Sequence, residues 1–112
     1  MADVVKGSGQ WGRSTHLDRA LETLTLRHRH LLTHDTVVVV VSDTKTLGME
    51  EAERHLEQVR RSVRDIVWLN TLPRGEWPGL PSVAPFRRHC RMFECNTLAH
   101  LERIMREHLA AA

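Results

Sequence analysis

Five consecutive valines, Val37 to Val41, constrain this chain more than any other feature. β-branched side chains crowd the preceding turn of a helix but fit the pleat of a strand. The run does not alternate between apolar and polar residues, so both of its faces must be covered. Thr36 opens it and Ser42-Asp43 closes it. A strand of this kind belongs in a parallel sheet with helices on either side, and the other segments are read around it.

Upstream, Leu17, Leu21, Leu24, Leu31 and Leu32 fall at helical spacing, with His28 on the same stripe. They predict a helix that ends near Thr33 to Asp35. Thr15-His16-Leu17-Asp18 has the shape of a capping box, with Asp18 in place of glutamate, so Thr15 is read as the cap. Downstream, Ala52, Leu56, Val59 and Val63 predict a second helix from about Met49 to Val63. Glu50, Glu51 and Glu53 lie in its first turns, where the helix dipole favours acids. Asp65 to Asn70 reads as the next strand. Thr71 to Pro85 contains all four prolines and reads as a long irregular connection. Cys90 to Cys95 reads as a further strand. A last helix, capped by Asn96 or Thr97, would turn Leu98, Leu101, Ile104, Met105 and Leu109 inward.

The expected fold is therefore α/β, a small parallel sheet of three or four strands with helices on both faces. Residues 1–13, polar and glycine-rich, are expected to form a flexible segment with at most a short strand at Val4-Val5; residues 14–112 form the single domain. If the sheet follows chain order, the valine strand lies at an edge unless something covers it. That cover could be the N-terminal segment, a second copy of the chain, or a larger sheet. Self-association through a sheet edge at Val37 and Val39, giving a homodimer, is the expectation that follows.

The function classes are narrowed mainly by exclusion. A formal net charge of +2 and aromatic residues at 4% provide no basic, aromatic-lined footprint for nucleic acid. No apolar stretch approaches the ~20 residues of a membrane span, and the N-terminus does not read as a signal peptide. Two cysteines, Cys90 and Cys95, make no disulfide framework and suit free thiols in a reducing cytoplasm.

The order and spacing of several short motifs resemble the C-terminal half of a von Willebrand factor A (VWA) domain of the bacterial CoxE-like group. Gly12-Arg13-Ser14-Thr15 and the leucine helix are similar to that family's glycine-glycine-threonine loop and helix. Val37 to Asp43 resembles its strand ending in Ser-Asp, and Val67-Trp68-Leu69-Asn70 its Trp-Leu-Asn-Pro strand end. Phe93-Glu94-Cys95-Asn96 to Leu101-Glu102 resembles its final strand and helix. The resemblance implies a partial VWA- or Rossmann-like fold. It also implies a divalent-ion site at the strand C-terminal ends, with Thr15 and Asp43 as residual metal positions. Hard cations such as Mg²⁺ need more oxygen ligands than these two. The family's Asp-x-Ser-x-Ser loop does not occur in this sequence. No cofactor is therefore expected unless another chain or segment supplies that loop. The resemblance further implies a non-enzymatic protein-interaction module working beside an AAA-type ATPase of the MoxR kind. The alternative is a small α/β enzyme or nucleotide-binding unit with its site at Asp43, Thr44 and Asn70.

Other constellations are weaker. His28, His30 and His34 would need a persistent helix to share a face, and only His30 and His34 are four apart. His89 and Cys90 are strand neighbours that point to opposite faces, so no dyad is expected. Lys6-Gly7-Ser8-Gly9 lacks the P-loop pattern. Of Trp11, Trp68 and Trp77, Trp68 reads as core, while Trp77 in the proline-rich connection is the expected contact residue.

Overall fold

The computed structural model describes the backbone of residues 2–6 and all of residues 16–109. Four strands, β1 (Ala2–Lys6), β2 (Val37–Ser42), β3 (Asp65–Asn70) and β4 (Arg91–Glu94), form one parallel sheet in the order β1-β2-β3-β4. The helices are α1 (Leu17–Arg27), α2 (Met49–Ser62), α3 (Val83–Arg87) and α4 (Leu98–Ile104). Each strand lies beside its predecessor and runs parallel to it, so every connection is a crossover. Crossovers of one hand that advance in one direction must all pass over the same face. α1, α2 and the β3–β4 connection accordingly share one face, and α4 takes the other because no strand follows it.

Two cores record this division. Leu17, Leu21, Val38, Val40, Leu56, Val59, Ile66, Trp68 and Phe86 join on the crossover face. Val39, Val67, Leu69 and Ile104 join on the other. Alternate valines of β2 thus feed opposite cores, which is why the run shows no polar alternation.

The valine strand is an interior strand. β1 pairs with it over five residues, from Ala2 beside Val37 to Lys6 beside Val41, and β3 pairs with it on the other side. This removes the reason for placing an interface on Val37 and Val39, because the backbone of both is hydrogen-bonded into the sheet at each edge, and Val39 is buried. Of the three possible covers, it is the N-terminal segment that pairs, through a five-residue strand that includes Val4-Val5, where a largely flexible segment was expected. The remaining residues of that segment, with Trp11 and the Thr15 cap, lie outside the described residues.

The first helix is shorter than its leucine pattern predicts. α1 stops at Arg27, and a 3-10 turn follows over Arg29–Leu31. Hydroxyl groups redirect the chain there: the Thr36 hydroxyl donates to the Leu31 carbonyl and accepts from Thr33 N–H at 3.2 Å. Local side-chain bonds of this type compete with the helical ladder. His28 is consequently exposed at the helix end, Leu31 is exposed, and Leu32 alone of that pair packs against the core.

The connection after β3 is more ordered than its prolines suggest. A 3-10 segment (Arg74–Gly79) precedes α3, and Trp77, Val83 and Phe86 fold onto the crossover core. Pro78 and Pro85 lie within these helical pieces. The segments are short enough that the missing N–H groups interrupt little of a ladder. Trp77 is 3% exposed and donates its indole N–H to the Leu72 carbonyl at 2.8 Å, so it is a core residue and not the contact residue expected.

α4 begins as predicted. Thr97 accepts from the His100 N–H at 3.1 Å. From Met105 to Leu109 the helix widens to π geometry, which shifts the face presented per turn. Ile104 is buried and Leu101 and Leu109 pack against the core, but Leu98 and Met105 point outward.

Candidate functional site

In an open parallel sheet, the loops at the strand C-terminal ends are where the chain is free to vary and where ligands sit. Here those loops follow Ser42, Asn70 and Glu94. The loop from Asp43 to Gly48 organises them. Asp43 is half-buried, and its Oδ1 accepts the Lys45 N–H at 3.0 Å, which closes a tight turn. Thr44 is fully buried at φ 66°, a left-handed conformation that is uncommon for a β-branched residue. Its strain is held from both sides. The Thr44 N–H donates to Ser42 Oγ at 3.1 Å, and Ser82 Oγ donates to the Thr44 carbonyl at 2.8 Å.

The same loop fixes the start of α1. Thr46 Oγ1 accepts the Leu17 N–H at 2.9 Å, one of the amide donors a helix start leaves without a partner. Gly48 adopts φ 63° as the residue before α2, and Asp18 lies so close that a Cβ there would meet its Oδ2 at 2.6 Å. Asp18, read as a capping-box residue, therefore packs against the loop. Its Oδ1 is buried without a hydrogen bond and lies 3.7 Å from His16 Nδ1.

At the end of β3, Asn70 is fully buried. Its Oδ1 accepts the Leu72 N–H at 2.9 Å and its Nδ2 lies 3.5 Å from Met92 Sδ. The Trp68 indole reaches back to the Ser42 carbonyl at 3.2 Å, tying β3 to the valine strand. At the end of β4, Glu94 accepts from the Arg74 N–H at 2.7 Å and from Asn96 Nδ2 at 3.4 Å, and His100 lies 3.7 Å away. The Arg74 N–H, more than any other influence, holds the Glu94 carboxyl below the usual range. Glu94 was not singled out from sequence, although it lies in the Phe93-Glu94-Cys95-Asn96 segment and ends a strand just before an Asn-Thr cap.

The structure tests how well these residues suit a divalent ion. Thr15 lies outside the described residues. Asp43 contributes one carboxylate, already engaged with Lys45, and the described residues gather no three carboxylate, histidine or cysteine groups able to hold a metal. Mg²⁺ is usually held by one or two carboxylates with waters filling its shell, and of the two expected ligands the described residues include Asp43 alone. Five of the eight histidines pair with acids. His89 Nε2 lies 3.1 Å from Glu53 and His55 Nε2 3.8 Å from Glu22, while His30 and His34 lose their shared face when α1 ends. Cys90 and Cys95 are free thiols that pack against opposite cores. Burial, with Asp65 adding to it, pushes the Cys90 thiol up to about 12, and burial raises Cys95 too. Neither is activated as a nucleophile.

Asp43, Thr44, Thr46, Asn70 and Glu94 at this end are thus engaged within the protein, while two apolar side chains are displayed. Leu47, in the loop after β2, is 54% exposed, and Leu98, which opens α4 after β4, is 76% exposed. No helix among the described residues is long and apolar enough to cross a membrane.

No curated protein and no solved structure matches the sequence. The family model for the VWA domain containing CoxE-like protein matches residues 1–104. That span takes in all four strands of the sheet and all of α1 to α4. The chain therefore belongs to the CoxE-like VWA family.

Proposed function

We propose that this chain is a non-enzymatic protein-interaction module whose binding surface is formed by the loops at the strand C-terminal ends. One observation carries the reading: this end of the sheet presents exposed Leu47 and Leu98, whereas Asp43, Thr44 and Asn70 are engaged in hydrogen bonds within the fold. Exposed leucines beside satisfied polar groups suit a partner surface better than chemistry on a small molecule. Membership of the CoxE-like group supports an AAA-type ATPase of the MoxR kind as the partner. Any Mg²⁺ at Asp43 would need oxygen ligands contributed by another chain or segment.

The test is binding of the purified chain to a MoxR-type ATPase encoded in the same genome, with and without Leu47→Ser and Leu98→Ser together. The expected result is binding that falls about tenfold or more in the double variant, in line with loss of buried apolar side chains. Calorimetric titration with Mg²⁺ or Mn²⁺ addresses the metal. Tight binding by this chain alone, abolished by Asp43→Ala, would overturn the metal part of the reading. Turnover of a phosphorylated substrate that Asp43→Ala removes would replace the whole of it with an enzyme.

A further inference from the structure

The opposite end of the sheet, at the strand N-terminal ends, has a different character. α1 and α2 each finish there, and both carry arginine in the last turn. Arg27 is the last residue of α1 and Arg29 opens the 3-10 turn; Arg60 lies in the last turn of α2 and Arg64 just beyond it. All four are exposed. The segments that carry them are tied together: Arg64 N–H donates to the Thr36 carbonyl at 2.9 Å, and the Thr36 hydroxyl in turn donates to the carbonyl of Leu31 in the Arg29–Leu31 turn. The arginines that make ion pairs among the described residues are Arg54, Arg61, Arg88 and Arg91, so these four have no carboxylate partner there.

Helix dipoles account for part of this. A cation in the last turn compensates the exposed carbonyls, and Arg60 does so directly, with Nη1 3.3 Å from the Val63 carbonyl. Arg29 and Arg64 lie beyond the helix ends, and dipole compensation does not require them. Two leucines accompany the charges. Leu26 is 75% exposed at the end of α1 and Leu31 is 38% exposed in the turn.

We propose that this end is a second docking surface, for an acidic protein segment that carries its own apolar side chains. Unpaired guanidinium groups offer forked donors to carboxylates, and the leucines offer a contact that a purely polyanionic ligand would not use. His28 and His30 interleave with Arg27 and Arg29, so the two exposed leucines, not a lack of aromatic rings, are what favour a protein segment over nucleic acid. The module would then bridge two partners, one at each end of its sheet.

The probe is a fluorescein-labelled amphipathic peptide of about 20 residues composed of glutamate and leucine, titrated against the whole chain by anisotropy. Binding is expected, weakening about tenfold as salt rises from about 50 to about 300 mM. Replacing Arg27, Arg29, Arg60 and Arg64 with glutamine should weaken it at least tenfold, with the circular dichroism spectrum retained. Leu26→Ser with Leu31→Ser should weaken it severalfold with the charges intact. Arg19→Gln with Arg103→Gln, on other surfaces, should leave it unchanged. The proposal is overturned by absence of binding, by equal losses in the Arg19/Arg103 variant, or by indifference to the leucine variant, which would indicate charge attraction alone. Tighter binding of an oligonucleotide of similar length, lost in the four-arginine variant, would overturn it in favour of nucleic acid. The ATPase assay reads the other end of the sheet, so either surface can fail without the other.

Discussion

Removal of residues 1–6 tests the architecture at its most consequential point. β1 is an edge strand, and its five paired residues cover the valine strand of β2. A net contribution of about 0.5–1.5 kcal/mol per interstrand hydrogen bond puts the ladder near 3–5 kcal/mol. That is a large share of the ~5–15 kcal/mol that holds a domain of this size together. With a urea slope of about 1.5 kcal/mol/M, the unfolding midpoint should fall by roughly 2–3 M. A second effect should accompany the first. The truncated chain exposes the backbone edge of Val37 to Val41, a pairing template with no charge or proline in it. Sedimentation velocity at micromolar concentration should show a monomer for the intact chain and self-associated species for the truncated one. An unchanged urea midpoint with a monomeric truncated chain would refute the reasoning, since it would mean that β1 neither stabilises nor protects the valine strand.

Further outcomes follow from individual contacts. Gly48→Ala should destabilise by about 1–2 kcal/mol, because it places a Cβ at φ 63° and against Asp18; adding Asp18→Ala should recover the clash but not the backbone part, read by urea titration. Trp77→Ala should cost about 3–5 kcal/mol in the same assay, a value expected of a core aromatic and not of a loop residue. Asn70→Ala should cost about 1–3 kcal/mol by leaving the Leu72 N–H without its acceptor. For Cys90, the folded thiol titrates near 12 and the unfolded one at 9.0. Below the unfolded value both states keep the proton and pH has no effect through this group. Above it the unfolded chain releases its proton first, so stability falls as pH rises from about 9 towards 12. Cys90→Ala should flatten that part of the stability profile, and a disulfide reagent at neutral pH should modify Cys95 well before Cys90.

Much of the fold was legible in the residues. The valine run declared a strand covered on both faces. Asp65–Asn70 and the Met49 helix fell where β-branched runs and 3-4 spacing placed them, and Thr97 served as the cap its hydroxyl suggested. These are short-range signals, each set by the steric and hydrogen-bonding preferences of neighbouring residues. The apolar stripe failed at Leu31 because threonine hydroxyls there offered the backbone a competing set of bonds. It failed again at Met105, where a π turn changed the period.

The candidate site was legible only in outline. Asp43 could be picked out because it ends the central strand, but its engagement with Lys45 depends on the path of the loop. The positive φ of Thr44, the support from Ser82 and the cap that Thr46 gives to α1 join residues far apart in the chain, and no local pattern encodes them. Trp77 shows the same limit, since its prolines describe the backbone around it and say nothing of the core it enters. Sequence alone determined that Val37 to Val41 must be an interior-type strand, because five β-branched side chains admit little else. Only the tertiary structure decided which of the three possible covers lies on its edge, because pairing between Ala2–Lys6 and the valines depends on the crossover of α1, and Val4-Val5 alone marked it in the sequence.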